Sequence, residues 1–161
     1  MSMPPPPENL STAPPPEAPL MTASYGTASG PRAGFWQRFG ASFIDGIILF
    51  VPSLIVEAVF KSAGEALALL IAGAYFTYFM GRVRGQSPGQ SALGIRVISF
   101  QDGDAIGYGR SLVRWIGSYL SAICLGLGYF WMLWDREKQC WHDKFAGSVV
   151  VPVSAYPPPP S

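Results

Sequence analysis

Residues 35–56, FWQRFGASFIDGIILFVPSLIV, read as a membrane-crossing helix with one anomaly: they carry Arg38 and, seven positions on, Asp45. A carboxylate in hydrocarbon costs several kcal/mol unless it is paired, hydrated or protonated. The two charges therefore either build the protein or do its chemistry.

Working outward, the run from about Phe39 to Phe60 is long enough to cross the roughly 30 Å hydrocarbon layer. Pro52 predicts a kink, which neighbouring helices can accommodate in a membrane. Glu57, Lys61 and Glu65 follow at four-residue spacing as a helix-end charge ladder. A second span is predicted from about Gly64 to Gly81, uncharged from Ala66 to Met80. Ala72, Gly73 and Ala74 give it a small face for close helix approach, and Tyr75 and Tyr78 read as interfacial aromatics. The connection is so short that the two helices must form an antiparallel hairpin.

Residues 82–110 are polar and glycine-rich. Within them IRVISF has strand character and QDGD is a turn signal. GQSPGQSALG lacks the lysine–serine ending of a phosphate-binding loop and reads as a tight turn closed by Pro88 and Gly89. From Leu112 to Trp134 the chain is apolar again, broken by the glycines of GLG at Gly126–Gly128, a poor place for a continuous helix. If this segment crosses once, Arg136, Lys138 and Lys144 join Lys61 on one side of the membrane. If it dips in and returns, all the basic residues except Lys61 share a side, which satisfies the positive-inside rule better. The return also lets IRVIS pair with SVVVP rather than leave open strand edges. The re-entrant hairpin is the preferred reading and a third span its alternative. In both, the N-terminus and long loop are cytoplasmic. The expected fold is an all-α membrane protein: two transmembrane helices, a third apolar segment and a small cytoplasmic strand pair.

Composition agrees with this. The chain has 161 residues and only 13% charged residues, about half the usual share. Sixteen prolines gather mostly at the ends. Residues 1–33 are read as a disordered proline-rich tail, 34–153 as the membrane domain and 154–161 as a second proline-rich tail. The first tail has no basic start and does not read as a secretory signal. A net charge of +1 argues against nucleic-acid binding. Cys124 and Cys140 form no Cys-x-x-Cys pair. The lone His142 has too few soft ligands around it for a metal site, and no cofactor is expected.

Seven helical residues span about 10 Å, too far for Arg38 and Asp45 to bridge tightly. Arg38 is free to snorkel toward the headgroups. Asp45 then needs another partner, sought among Arg82, Arg84, Arg110 and Arg114. The predicted result is a charge cluster at the cytoplasmic edge: Arg38, Asp45, Arg114, Asp135 and Asp143. Two readings weigh equally. In one, Asp45 binds a cation or shuttles a proton. In the other, the cluster locks helix packing.

The chain resembles the RDD family of small bacterial membrane proteins over about residues 34–151. Arg38 and Asp45 match the family's arginine and first aspartate. GQSPGQSALGIRVISFQDG is similar to its G-x-[TS]-P-G-[KQ]-x-x-x-G-x-x-V segment, and GYGRSLVRW to its arginine-bearing helix entry. LGLGYFWMLWDREKQCWHDKFAGSVVV is similar to the closing pattern, with Asp135 or Asp143 as second aspartate. Cys140 stands where a threonine is more usual. The resemblance implies a multi-pass protein of the bacterial inner membrane and transport of an ion or small solute. Two spans plus a hairpin cannot enclose a pathway alone, so transport implies a homo-oligomer or membrane-protein partner. The alternative is a non-transporting accessory protein recruiting partners through its loop or proline-rich tail. An enzyme is not expected: His142–Asp143 lacks an activated nucleophile beside it.

Overall fold

The computed structural model describes residues 30–124 and 126–159. The N-terminal tail reading falls chiefly on residues 1–29, which lie outside the described residues; of the second tail, 154–161, only 160 and 161 do, and Tyr156 within it is buried. Helix α1 (Phe35–Phe60) keeps Pro52 inside it, and Gln37 Oε1 accepts the Gly34 N–H at its start. A 3-10 turn, Lys61–Ala63, leads into α2 (Gly64–Gly81). The helices fold back on each other: Tyr75 reaches Asp45 thirty residues earlier. At the tip, a Cβ added to Gly64 would stand 2.5 Å from the Glu57 Cα. The outside of α1 is apolar and bare, with Trp36, Phe43 and Phe50 each more than 60% exposed. The stretch Phe35–Gly81 is long and apolar enough to cross a membrane, which accounts for a surface that would aggregate in water.

Helix α4 (Gly107–Ile123) packs along α2. The small face expected at 72–74 is used here, because Gly73 lies under the Trp115 ring and leaves an added Cβ only 3.1 Å from it. At Gly126, with φ 73°, the backbone enters the left-handed region that glycine adopts at little cost. The axis turns by 110° into α5 (Leu127–Phe130) and a 3-10 turn, Trp131–Leu133. The apolar stretch around 112–134 is thus sharply bent at the glycines rather than one straight helix.

The chain then comes back. Helix α6 (Trp141–Phe145) rests on α4, with the His142 Cβ 3.1 Å from where a Gly117 Cβ would be. Strands β1 (Ile95–Ser99) and β2 (Ser148–Pro152) pair antiparallel, Ile95 opposite Pro152 and Ser99 opposite Ser148. This is the strand pair that IRVIS and SVVVP predict. The sheet is buried almost throughout, so its β-branched residues pack on both faces. Ala41, Val97, Ile106 and Val150 form one core cluster, and Ile98, Val149, Val151 and Tyr156 another. The Ala33 N–H donates to the Val150 carbonyl at 3.0 Å, tying the start of α1 to the sheet.

One element departs from the sequence reading. Pro88 and Gly89 do not close a tight turn; they open helix α3 (Pro88–Ala92), which seats on α1. Ser87 Oγ accepts the Gln90 N–H at 3.3 Å, and Gln90 Oε1 accepts the Ser87 N–H at 3.1 Å. Ser-Pro-Gly-Gln is a capping box with proline at the first helical position. That signal was available in the sequence.

Candidate functional site

The five charged residues expected in one cluster are divided among three places. The centre is Asp143, fully buried. As the third residue of α6 its Oδ2 accepts the Cys140 N–H at 3.0 Å and, at 2.5 Å, Arg38 Nη1 of α1. Arg114 Nη1 of α4 pairs with the other oxygen, Oδ1, and also donates to Ser148 Oγ at 2.9 Å. One carboxylate therefore joins α1, α4, α6 and, through Ser148, β2. Arg38 does not snorkel outward. Its Nε donates to the Ala33 carbonyl, and its buried Nη2 has no hydrogen-bond partner among the described residues.

Asp45 stands apart and is not held by arginine. Its Oδ1 accepts from Tyr75 Oη at 2.9 Å and from the Gly89 N–H at 2.8 Å; its Oδ2 accepts from Ser87 Oγ at 2.5 Å. All three neighbours donate, which suits an acceptor-only carboxylate. Three of the four arginines proposed for it are engaged elsewhere: Arg82 lies over the Tyr78 ring, Arg110 donates to Ser99 Oγ, and Arg114 binds Asp143. Tyr75 is thus a buried-acid partner rather than only an interfacial ring. A Cβ on Gly89 would fall 2.2 Å from the Ala41 carbonyl oxygen and 2.9 Å from the Asp45 carboxyl carbon. Only glycine brings that N–H to the acid.

Asp135 is the third place. It pairs with Lys144 and accepts the Gln139 N–H at 3.0 Å. Partial burial pushes its carboxyl up, but these bonds outweigh that and hold it below the ordinary value.

Among the described residues the His142 imidazole has no hydrogen-bond partner. Its Nδ1 is buried without a hydrogen-bond partner, and its Nε2 lies 3.7 Å from Asp143 Oδ1, beyond hydrogen-bond range. Burial, reinforced by Arg114 and Arg38, pushes the imidazole well below its usual value and keeps it neutral. Burial likewise pushes the Cys140 thiol up, against the two arginines. As pH falls through 6.5, the ordinary histidine value, the unfolded chain gains a proton that the folded chain refuses, so stability drops. Thermal melts from neutral to mildly acidic pH should show that decline, and His142→Gln should flatten it. Equal slopes in the two proteins would refute this account.

Cys140, His142 and Asp143 offer ligand atoms within 4.8 Å of one another. The donor set fits a metal poorly: both Asp143 oxygens already face guanidinium groups, and a cation there would be repelled by them.

Beside the cluster lies a cavity of about 520 Å³. Phe35, Phe39, Phe76, Trp115 and Tyr119 line it, while Arg38, Arg114, Cys140 and His142 form its polar end. Asp45 and Asp135 are not among its lining residues.

A profile of the RDD family matches residues 32–147. The chain belongs to the RDD family. A proline-rich antigen homolog of Mycobacterium tuberculosis H37Rv is 36% identical over 78 residues, covering 48% of this chain and 32% of that protein. The proline-rich antigen of Mycobacterium leprae is 33% identical over 89 residues, covering 53% and 36%. This chain thus spans about a third of the mycobacterial relatives it matches. YxaI of Bacillus subtilis 168 is 28% identical over 147 residues, covering 74% of this chain and 96% of its own. No solved structure matches. In this RDD protein the matched segment contains Asp45, Asp135 and Asp143, so each lies in the part shared with the family.

Proposed function

We propose that this RDD protein is a multi-pass protein of the bacterial inner membrane that binds and carries a small solute at the cavity between its helices. In this topology the α1–α2 hairpin spans the bilayer, the α4–α5 segment enters and returns, and the N-terminus is cytoplasmic. Two observations support it. β1 precedes the bent segment and β2 follows it, yet the two pair residue for residue, and a bilayer cannot lie between paired strands. Lys61 sits at the hairpin tip, away from the other basic residues near the sheet, in line with the positive-inside rule.

The cavity carries the functional reading. Its volume of about 520 Å³ falls in the roughly 300–1,000 Å³ range of small-molecule sites, and it combines apolar walls with a few convergent polar groups. Two guanidinium groups at one end favour an anion over the cation that Asp45 alone would suggest. Three short membrane segments do not enclose a pathway, so carriage requires an oligomer. The test is flux in proteoliposomes under gradients of a short-chain carboxylate (hexanoate), sodium or protons. Carboxylate flux should fall at least tenfold in Ser118→Trp, which fills the cavity and leaves Asp45, Asp135 and Asp143 in place. No wild-type flux under any gradient would sink carriage. The accessory-protein reading draws on the proline-rich residues 1–31 and would then need a co-purifying partner lost when they are deleted.

A further inference from the structure

We propose that the cavity takes a single-chain anionic amphiphile, its acidic headgroup at Arg38 and Arg114 and its hydrocarbon chain along Phe39, Phe76, Trp115 and Tyr119. This deepens the small-solute reading by naming the ligand's chemistry and rests on the same cavity.

The first ground is charge. Arg38 and Arg114 share one carboxylate, Asp143, and the neighbouring Cys140 and His142 are neutral. Asp143 is not itself a lining residue, and among the described residues no carboxylate lines the cavity. The cluster keeps a net single positive charge beside an apolar space, and an uncompensated charge in such surroundings is costly. A monoanion neutralises it, and guanidinium is the side chain best matched to a carboxylate or phosphate oxygen.

The second ground is unmet hydrogen bonding. Among the described residues Arg38 Nη2 and His142 Nδ1 are both buried without hydrogen-bond partners, and both residues line the cavity. Buried polar atoms are seldom left so, and here two stand at the same end of one cavity. The oxygens of one headgroup accept from Arg38 Nη2 and, in the Nδ1–H tautomer, from His142 Nδ1. The third ground is shape and access. Beyond the polar end the lining is aromatic and aliphatic, and α1 and α4, which wall the cavity, also present large apolar side chains outward, Phe43 and Leu120 among them. The volume suits one chain and a headgroup, and a two-chain lipid would not be enclosed.

Trp115 lines the cavity and reports on it. The full-length protein in detergent would be titrated with dibromostearate, a single-chain carboxylate whose bromines quench tryptophan, beside its uncharged methyl ester and a dibrominated two-chain phosphatidylglycerol. The expected result is saturable quenching by dibromostearate, at least tenfold weaker for the ester, and absent from Trp115→Phe. Arg38→Gln should weaken binding at least tenfold while Arg38→Lys retains most of it. If Arg38→Gln fails to fold, Ser118→Trp decides: it should abolish saturable quenching in a protein that melts like wild type. Equal affinity for the ester, quenching that only rises linearly, saturation by the two-chain lipid alone, or unchanged quenching in Ser118→Trp would each overturn the proposal. Saturable binding without flux would uphold this ligand class and refute carriage. Hexanoate flux without saturable dibromostearate binding would do the reverse.

Discussion

Asp143→Asn should destabilise the protein by about 3–5 kcal/mol, the usual cost of removing one partner from a buried ion pair, seen as a large drop in its thermal melt in detergent. Asp143 is completely buried and receives Arg38, Arg114 and the Cys140 N–H. Asparagine keeps one acceptor but turns an amide N–H₂ toward one of the guanidinium groups. Two buried positive charges then face each other without compensation, and α1, α4 and α6 lose their common tie. The loss belongs to the stranded arginines more than to the missing bonds. A triple replacement, Asp143→Leu with Arg38→Met and Arg114→Met, should therefore recover much of the stability, since exchanging a whole buried ionic cluster for apolar residues is often neutral or better. A single variant melting within about 1 kcal/mol of wild type, the typical worth of an ordinary hydrogen bond, would show that Asp143 is no keystone. A triple variant worse than the single one would show that the arginines have other partners.

The parts legible in the sequence are those set by local rules. Apolar runs of helix-spanning length, a connection too short for anything but a hairpin, and β-branched IRVIS and SVVVP each announce themselves within a few residues. So does the break at Gly126–Gly128, because glycine is a poor helix former. The partner of a buried charge is a different kind of quantity. Arg38 bonds Asp143, which lies 105 residues away, rather than Asp45 on its own helix, and that depends on how α1, α4 and α6 face one another. The sequence reading seeks an arginine for Asp45 among Arg82, Arg84, Arg110 and Arg114, and none of them is a hydrogen-bond donor to it. What serves Asp45 is a hydroxyl, a phenol and one backbone N–H, none of which a charge inventory weighs. Ser-Pro-Gly-Gln held the missing clue. A capped helix there aims its first N–H groups back along the chain, and a buried acid is a natural acceptor for one of them.

This arrangement separates two substitutions of Asp45 that a transport role would make equivalent. Asp45→Ala removes the acceptor for Tyr75, Ser87 and Gly89 together. Hydrogen bonds to a charged group are worth roughly 1.5–3 kcal/mol each, and stranded donors add a penalty. The alanine variant should melt far below wild type, with α3 released from α1, which hydrogen exchange at Gly89 and Gln90 would register. Asp45→Asn is nearly isosteric. Its oxygen can take the Oδ1 position and keep both Tyr75 and Gly89, while its N–H₂ takes the Oδ2 position and donates to Ser87 Oγ, which rotates to accept. Its cost should stay near the roughly 1 kcal/mol of an ordinary hydrogen bond, with exchange protection at Gly89 retained. If Asp45 carried a proton or cation, the asparagine variant would instead fold normally and lose flux altogether. An asparagine variant that keeps both its melt and its flux places Asp45 among the residues that hold α3 on α1. One that keeps its melt and loses flux moves the working site from the arginine-lined cavity to Asp45 itself.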